Sequence, residues 1–371
     1  MVSFSFIFTH RFSFSYSPSS CTRPKLPSAQ ALPTSGVEYW LQSCKTHGFS
    51  EQYAKCTLKN NKRKTLISYL KCWRKFANWY NKWKTNYSAI TVTDVSDFLL
   101  CLFNSKNESG NNYSVDTINT YRSAIAYFVQ LDIPNLGFDV ALLRLFQSFH
   151  QQRPSFPKYL VTWDVGIVLK FLASWHPPSA LSLKKLTLKT VVLIAITSSD
   201  RAQTLHALRI DRVTSTPQGL EFVIFDQLKT SRRGHPAKIV KCVSWDAQEL
   251  DVAFYVQKYM EKTITLRNRA YIRGLGKPNQ LFLSHKTGLP VSKATISRWI
   301  KQVMALAGID VNHYKAHSTR GASASAARRK GASISQILET GDWSNLGTYQ
   351  RFYERPVDST PVGQIILEGA L

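Results

Sequence analysis

The chain contains the stretch His317-Ser-Thr-Arg320-Gly-Ala-Ser-Ala-Ser-Ala-Ala-Arg-Arg-Lys330, which is rich in alanine and serine and predicts a tightly packed helix. His317 and Arg320 are three residues apart, so they share one face of that helix. They also lie in its first turn, where unpaired backbone N–H groups favour an anion. A histidine, an arginine and a helix N-terminus at one point predict a phosphate-binding site.

A second segment follows closely, Gly341-Asp-Trp343-Ser-Asn-Leu-Gly-Thr-Tyr349-Gln-Arg-Phe-Tyr353. A tyrosine beside a bound phosphate is a potential nucleophile. Two tyrosines compete for that role, since Tyr349 comes six residues after Trp343 and Tyr353 comes ten after it. The alternative for either tyrosine is packing in a hydrophobic core.

The charge of the chain indicates a polyanionic partner. Lys and Arg number 48 against 23 Asp and Glu, which gives a formal net charge of +25. The excess is spread along the chain, and a field of that sign favours nucleic acid. Charge alone selects no activity, because ribosomal and viral coat proteins are equally basic.

The six cysteines predict neither a metal site nor a disulfide framework. They form no C-x-x-C pair and have no histidine cluster at zinc spacing. We interpret them as reduced thiols of an intracellular protein. The sequence also lacks an apolar run of the ~18 residues that a membrane span requires, so we expect no membrane partner.

The 371 residues suggest about two domains, preceded by a leader. Residues 1–36 are rich in Ser, Phe and Pro and contain no acidic residue, which favours a disordered leader over an organelle transit peptide. Residues 37–150 are predicted to form a helical domain. Residues 151–158 contain two prolines and form a linker, and residues 159–371 form the second domain.

Basic residues lie off the apolar face of the helices predicted in the first domain. In the helix from Thr65 to Lys84 these are Lys71, Arg74 and Lys75, and a later helix carries Arg122. Such residues form either a solvated face or a surface that contacts DNA phosphates. We take all four as candidate DNA contacts.

The second domain contains a further arginine next to a buried helix. Leu181 to Ser198 predicts a helix whose second half is almost wholly apolar, and Arg201 follows it directly. Partial burial makes an unpaired cation costly. Arg201 is therefore either paired in the interior or directed at a ligand such as phosphate.

Two strands and a basic loop are predicted after Arg201. Residues 220–225 and 237–243 are rich in β-branched and aromatic side chains. The loop between them contains three basic residues, Lys229, Arg232 and Arg233. A helix over 246–260, a basic loop over 266–277 and a helix over 294–307 are predicted next. Arg298 and Lys301 lie off the apolar face of the last helix, which suits a DNA major groove.

The ordered set of residues resembles the motif of the tyrosine recombinase (phage integrase) family. That motif comprises an arginine, a lysine, His-x-x-Arg, a His or Trp and a Tyr, and its members here are Arg201, Lys229, His317, Arg320, Trp343 and Tyr353. The Gly-Asp-Trp-Ser and Phe-Tyr context is most similar to recombinases of DIRS-like and crypton-like mobile elements. The family often has an acidic residue three positions after the first arginine, whereas this chain has Thr204.

The resemblance implies a fold that is mainly α with a small β-sheet. It comprises an N-terminal helical, SAM-like core-binding domain and an α+β catalytic domain. The implied activity is site-specific strand exchange or integration in double-stranded DNA, for a transposable element, through a 3′-phosphotyrosine. The implied partners are double-stranded DNA and further copies of the chain, as a tetramer on DNA in the nucleus.

The same resemblance implies a role for each residue of the motif. Arg201 and Arg320 would stabilise the non-bridging phosphate oxygens, Tyr353 would attack, and Lys229 would protonate the leaving 5′ oxygen. His317 would help to ionise the tyrosine, and Trp343 would hydrogen-bond the phosphate or pack beneath the tyrosine helix. The scheme uses no metal and no cofactor. Two alternatives remain: a type IB topoisomerase-like enzyme that relaxes DNA, and a domesticated DNA-binding protein that does not cleave.

Overall fold

A computed structural model of the protein describes residues 31–59, 63–84, 89–226, 228, 237–276 and 278–357. The contacts within the chain define two compact units, which meet in the sequence between Phe156 and Pro157. The described residues are mainly helical and contain one small sheet, so the predicted fold class is confirmed. None of the described helices is both long and apolar enough to cross a membrane.

The first unit consists of helices around an aromatic core. Its longest helix, α3, buries Trp73, Phe76 and Tyr80 along one face, and edge-to-face aromatic pairs link that face to α4 and α5. Side-chain caps begin several of the other helices, as at Thr91 before α4. The helices are α1 (Gly36–Thr46), α2 (Glu51–Leu58), α3 (Arg63–Trp83), α4 (Val92–Asn104), α5 (Val115–Phe128) and α6 (Val140–Gln152).

The candidate DNA contacts of this unit differ in exposure. Lys71, Arg74 and Lys75 are exposed on α3, and Lys75 donates a hydrogen bond to the Tyr113 hydroxyl. Arg122 is half-buried, with its guanidinium carbon 4.5 Å from the centre of the Phe146 ring. Burial lowers the pKa of Arg122. The α3 cations are therefore accessible to a partner, whereas Arg122 packs on an aromatic ring.

The second unit surrounds the buried helix α8. Residues 186–196 of this helix are all buried, and α10, α11 and α12 pack against it. The helices of this unit are α7 (Val165–Ala173), α8 (Leu183–Ser198), α9 (Ala202–His206), α10 (Val252–Ile272), α11 (Lys293–Leu306), α12 (Ser318–Arg329), α13 (Ile334–Gly341) and α14 (Leu346–Phe352).

An antiparallel sheet packs on one side of α8. Its strands are β1 (Val213–Thr216), β2 (Gly219–Ile224) and β3 (Lys238–Val243), in that order. Phe222 and Val240 are paired in register and bury their side chains in the core of the unit. The two strands predicted from the sequence are confirmed, whereas β1 was not predicted. Lys229, Arg232 and Arg233 lie outside the described residues.

One predicted boundary is wrong. The sequence suggested a helix ending near residue 260 and a basic loop over 266–277, but α10 continues to Ile272. Leu266, Arg267 and Ala270 are buried, and their spacing continues the inward face of the helix. Arg267 donates hydrogen bonds to three backbone carbonyls of the segment that follows the helix. This basic residue is therefore part of the protein interior and does not belong to an exposed loop.

Candidate active site

A buried arginine lies at the centre of the site. Arg320 in α12 is 1% exposed, and its Nη2 donates to the Gly341 carbonyl at 2.6 Å. Its Nε and Nη1 have no hydrogen-bond partner among the described residues. Burial, together with the charge of Arg201, lowers the pKa of Arg320 to about 10. An anion would satisfy both the unpaired donors and the buried charge.

Arg201 approaches the same point from the end of α8. Ser199 adopts a left-handed backbone conformation, with φ of 52°, which ends α8 and turns the chain towards α9. Arg201 is the N-cap residue of α9 and is half-buried, and its charge acts on the Arg320 guanidinium. Two arginines of distant segments thus lie in the same region of the second unit.

A buried carboxylate lies beside the two arginines. Asp200 is 6% exposed, and its Oδ1 lies 3.6 Å from Lys238 Nζ of β3. Burial raises the pKa of Asp200 to about 6, in spite of Lys238 and Arg320. Lys238 Nζ also donates to the Thr340 carbonyl at 2.7 Å. Through Lys238, strand β3 is therefore linked both to Asp200, the residue before Arg201, and to Thr340 near the end of α13.

Aromatic rings form one wall of the pocket around the Arg320 guanidinium, which we call the arginine pocket. Trp343 is 7% exposed, and the Arg320 guanidinium carbon lies 4.4 Å from the centre of its ring. The Tyr353 ring lies 4.9 Å from the Trp343 ring, centre to centre. No described residue accepts a hydrogen bond from Trp343 Nε1. The indole thus packs against both the arginine and the tyrosine and keeps a free donor.

The hydroxyl of Tyr353 lies in hydrogen-bond distance of a histidine. Tyr353 directly follows α14, and its Oη is 3.2 Å from Nε2 of His317, the exposed N-cap residue of α12. The Arg320 guanidinium carbon is 5.2 Å from the centre of the Tyr353 ring. A cavity of about 210 Å³ borders both Tyr353 and His317. The phenol is therefore accessible and adjacent to both an imidazole nitrogen and a cation.

The competing tyrosine lies in a different environment. Tyr349 is 0% exposed and belongs to a small core cluster with Trp343, Ile337 and Ala324. Burial raises the pKa of Tyr349 to about 12, and its hydroxyl has no hydrogen-bond partner among the described residues. Tyr349 supports the tryptophan and does not border the cavity beside His317.

The pocket also depends on glycines that the sequence interpretation did not single out. A Cβ atom added to Gly341 would lie 1.8 Å from Cζ3 of Trp343. A Cβ atom added to Gly321 would lie 3.3 Å from the Tyr353 carbonyl oxygen. The absence of a side chain at these two positions allows the aromatic residues to approach the arginine pocket.

Gly341→Ala is expected to displace Trp343 and to lower both the melting temperature and the rate of any reaction at the site. Because ring atoms cannot overlap a methyl group, a shift of the tryptophan or the backbone is required, at a cost of about 1–3 kcal/mol. Thermal unfolding of the purified variant measures the first effect. Gly347→Ala is the matched control, since its added Cβ would have no neighbour closer than 3.7 Å. Equal melting temperatures for the two variants would contradict the steric account.

The structure thus brings five of the six motif residues into one place: Arg201, His317, Arg320, Trp343 and Tyr353. The sixth, Lys229, lies outside the described residues. In α11, Arg298 is exposed and Lys301 is half-buried. Within the described ranges, no group of three or more His, Cys, Asp or Glu side chains is placed to hold a metal ion.

Two protein-family models match the chain. The model described as "Phage integrase family" matches residues 176–358, and that described as "Phage integrase, N-terminal SAM-like domain" matches residues 49–131. The chain belongs to the phage integrase, or tyrosine recombinase, family. The enzyme is therefore a tyrosine recombinase, a class that recombines DNA site-specifically.

Solved structures of tyrosine recombinases share the fold. The XerH site-specific recombinase bound to a palindromic difH substrate, a post-cleavage complex, is 16% identical, with a TM-score of 0.52. That comparison covers 93% of this chain and 90% of the XerH chain. The Tn1549 transposon integrase in complex with transposon right end DNA is 14% identical, with a TM-score of 0.50, covering 91% of this chain and 98% of the other. No curated protein sequence matches this one.

Proposed function

We propose that this recombinase exchanges strands of double-stranded DNA through a 3′-phosphotyrosine intermediate on Tyr353. The observation that carries the proposal is the position of Tyr353, whose hydroxyl lies 3.2 Å from His317 Nε2 and whose ring centre lies 5.2 Å from the buried Arg320 guanidinium carbon. Two donor nitrogens of that guanidinium have no partner among the described residues. A phosphodiester supplies the acceptors that those donors lack. The same phosphodiester is the electrophile that the phenol attacks.

In the proposed reaction the Tyr353 oxygen attacks the scissile phosphorus as its proton passes to His317. The bond from phosphorus to the 5′ oxygen breaks, and Lys229 provides the proton for that oxygen. Arg201, Arg320 and the Trp343 indole N–H stabilise the charge on the non-bridging oxygens. Rejoining reverses the step, because the 5′ hydroxyl of a second strand attacks the phosphotyrosine and releases the phenol. The covalent bond conserves the energy of the cut strand.

Basic residues outside the pocket are proposed to hold the DNA. They comprise Lys71, Arg74, Lys75 and Arg122 in the first unit and Arg232, Arg233, Arg298 and Lys301 in the second. The exposed side chains among them suit the phosphate backbone, whose contribution to affinity falls with salt. We further propose assembly as a tetramer on DNA and action in the nucleus. A mobile element of DIRS-like or crypton-like type is the proposed source, as the Gly341-Asp-Trp343-Ser context supports.

A covalent trap tests the proposal. The purified protein is incubated, in the presence of a chelator, with a pool of randomised duplexes that carry a nick beside each potential cleavage site. The short fragment between the cut and the nick carries the released 5′ hydroxyl, and its loss prevents rejoining. Cleavage therefore leaves a protein–DNA adduct that survives denaturation. We expect an adduct in which the 3′ phosphate of the cleaved strand is linked to the peptide that contains Tyr353. Mass spectrometry of the digested adduct identifies that peptide.

Three other outcomes would contradict the proposal. Retention of the DNA without an adduct would indicate a binding protein that does not cleave. Relaxation of supercoiled plasmids of any sequence, without strand exchange between duplexes, would indicate a topoisomerase-like activity. Dependence of the adduct on a divalent metal would rule out the metal-free scheme.

A further inference from the structure

One face of α12 carries three residues that all contact Tyr353. His317, Gly321 and Ser325 are four residues apart in turn, so they form a continuous stripe along the helix. His317 reaches the tyrosine hydroxyl, and Gly321 allows the tyrosine main chain to approach the helix. Ser325 contacts that main chain directly. The nucleophile is thus held at both ends by one helix face.

Ser325 makes two hydrogen bonds to the main chain at the nucleophile and two residues after it. Its hydroxyl donates to the Tyr353 carbonyl at 2.9 Å and accepts from the Arg355 N–H at 2.9 Å. The side chain is 3% exposed, so water does not readily replace these bonds if the hydroxyl is removed. Tyr353 itself lies past the last residue of α14 and outside the regular helix. Its main chain is therefore fixed by these contacts as well as by α14.

We propose that Ser325 is a positioning residue, which holds the Tyr353 main chain so that the phenol stays beside His317 and Arg320. The inference rests on the proposed role of Tyr353 as the nucleophile. Ser325 does not itself line the cavity beside His317, and it acts on the site through the main chain of Tyr353 and Arg355, to which it is hydrogen-bonded. A shift of about 1 Å in a reacting group lowers a rate by as much as 10²-fold.

Ser325→Ala and Ser323→Ala, compared in the trap assay, test the inference. Ser323 lies in the same helix and is 5% exposed, but its hydroxyl has no hydrogen-bond partner among the described residues. Both variants lose one buried hydroxyl, and only one of them loses contact with Tyr353. The measurements are the DNA dissociation constant, the single-turnover rate of adduct formation at saturating DNA and the melting temperature.

We expect Ser325→Ala to form the adduct about 10- to 100-fold more slowly with unchanged DNA affinity. Ser323→Ala is expected to match the wild type in both quantities. A wild-type rate in Ser325→Ala, or equal losses in the two variants, would overturn the inference. If Ser325→Ala proves too unstable to assay, Ser325→Cys takes its place, because a thiol of similar shape hydrogen-bonds only weakly. A wild-type rate in Ser325→Cys would then overturn the inference.

The result is separable from the proposed function. If Tyr353→Phe still forms the adduct, the assignment of the nucleophile fails and the inference about Ser325 fails with it. If Tyr353→Phe forms none while Ser325→Ala reacts at the wild-type rate, only the inference fails.

Discussion

Tyr353→Phe is expected to abolish the protein–DNA adduct, whereas Tyr349→Phe is expected to form it at close to the wild-type rate. The two tyrosines are four residues apart, with Tyr349 inside α14 and Tyr353 directly after it, and the substitution removes a single oxygen from each. Only the Tyr353 hydroxyl lies beside His317 and borders the cavity. Because phenylalanine has no nucleophilic oxygen, cleavage by the first variant cannot proceed through this residue.

The thermal stability of Tyr349→Phe provides a second expected result. The Tyr349 hydroxyl is buried and has no partner within the described part of the chain. Removing it relieves a desolvation cost of about 1–3 kcal/mol, so Tyr349→Phe should unfold at the same temperature as the wild type or higher. Denaturing gels measure the amount of adduct, and calorimetry measures the melting temperature. An adduct lost in Tyr349→Phe and kept in Tyr353→Phe would reverse the assignment.

The identity of the pocket residues could be predicted from the sequence because each belongs to a local pattern. The spacing of His317 and Arg320 on one helix predicted a shared face, and the apolar flanks of Arg201 predicted its burial next to α8. These patterns need no knowledge of distant contacts. The strands β2 and β3 were predicted for the same reason, since their β-branched and aromatic residues are contiguous.

Features that depend on contacts between distant segments could not be predicted. Strand β1 consists of Val213-Thr-Ser-Thr216, which is mostly polar and is a strand because it pairs with β2. The link from Lys238 to Asp200 and Thr340 joins residues far apart in the sequence, as does that from Ser325 to Tyr353. The end of α10 was misjudged because Arg267 is basic in sequence but buried in the fold.

Arg320→Met is expected to abolish cleavage without lowering the melting temperature of the DNA-free protein. Removal of a group that stabilises developing charge costs at least about 10²–10³ in rate. In the free protein, however, the guanidinium makes one hydrogen bond to the residues that the structure describes, and none of those residues pairs with its other two buried nitrogens. Methionine has a similar length, and replacing a poorly satisfied buried ion by an apolar side chain is often neutral or stabilising. Adduct formation and thermal unfolding of the same preparation provide the two measurements.

Arg267→Met is the control that separates this explanation from a general tolerance of buried arginine replacement. Arg267 is 2% exposed, in the same unit, but it donates to the carbonyls of Pro278, Gln280 and Leu281. Its loss leaves three buried acceptors without that donor and should destabilise the protein by about 3 kcal/mol. Sulfate, compared with chloride at equal ionic strength, should raise the melting temperature of the wild type and of Arg267→Met by linkage, and that of Arg320→Met much less. A large fall in the melting temperature of Arg320→Met would mean that the guanidinium is already satisfied before DNA binds, and the pocket would then be structural.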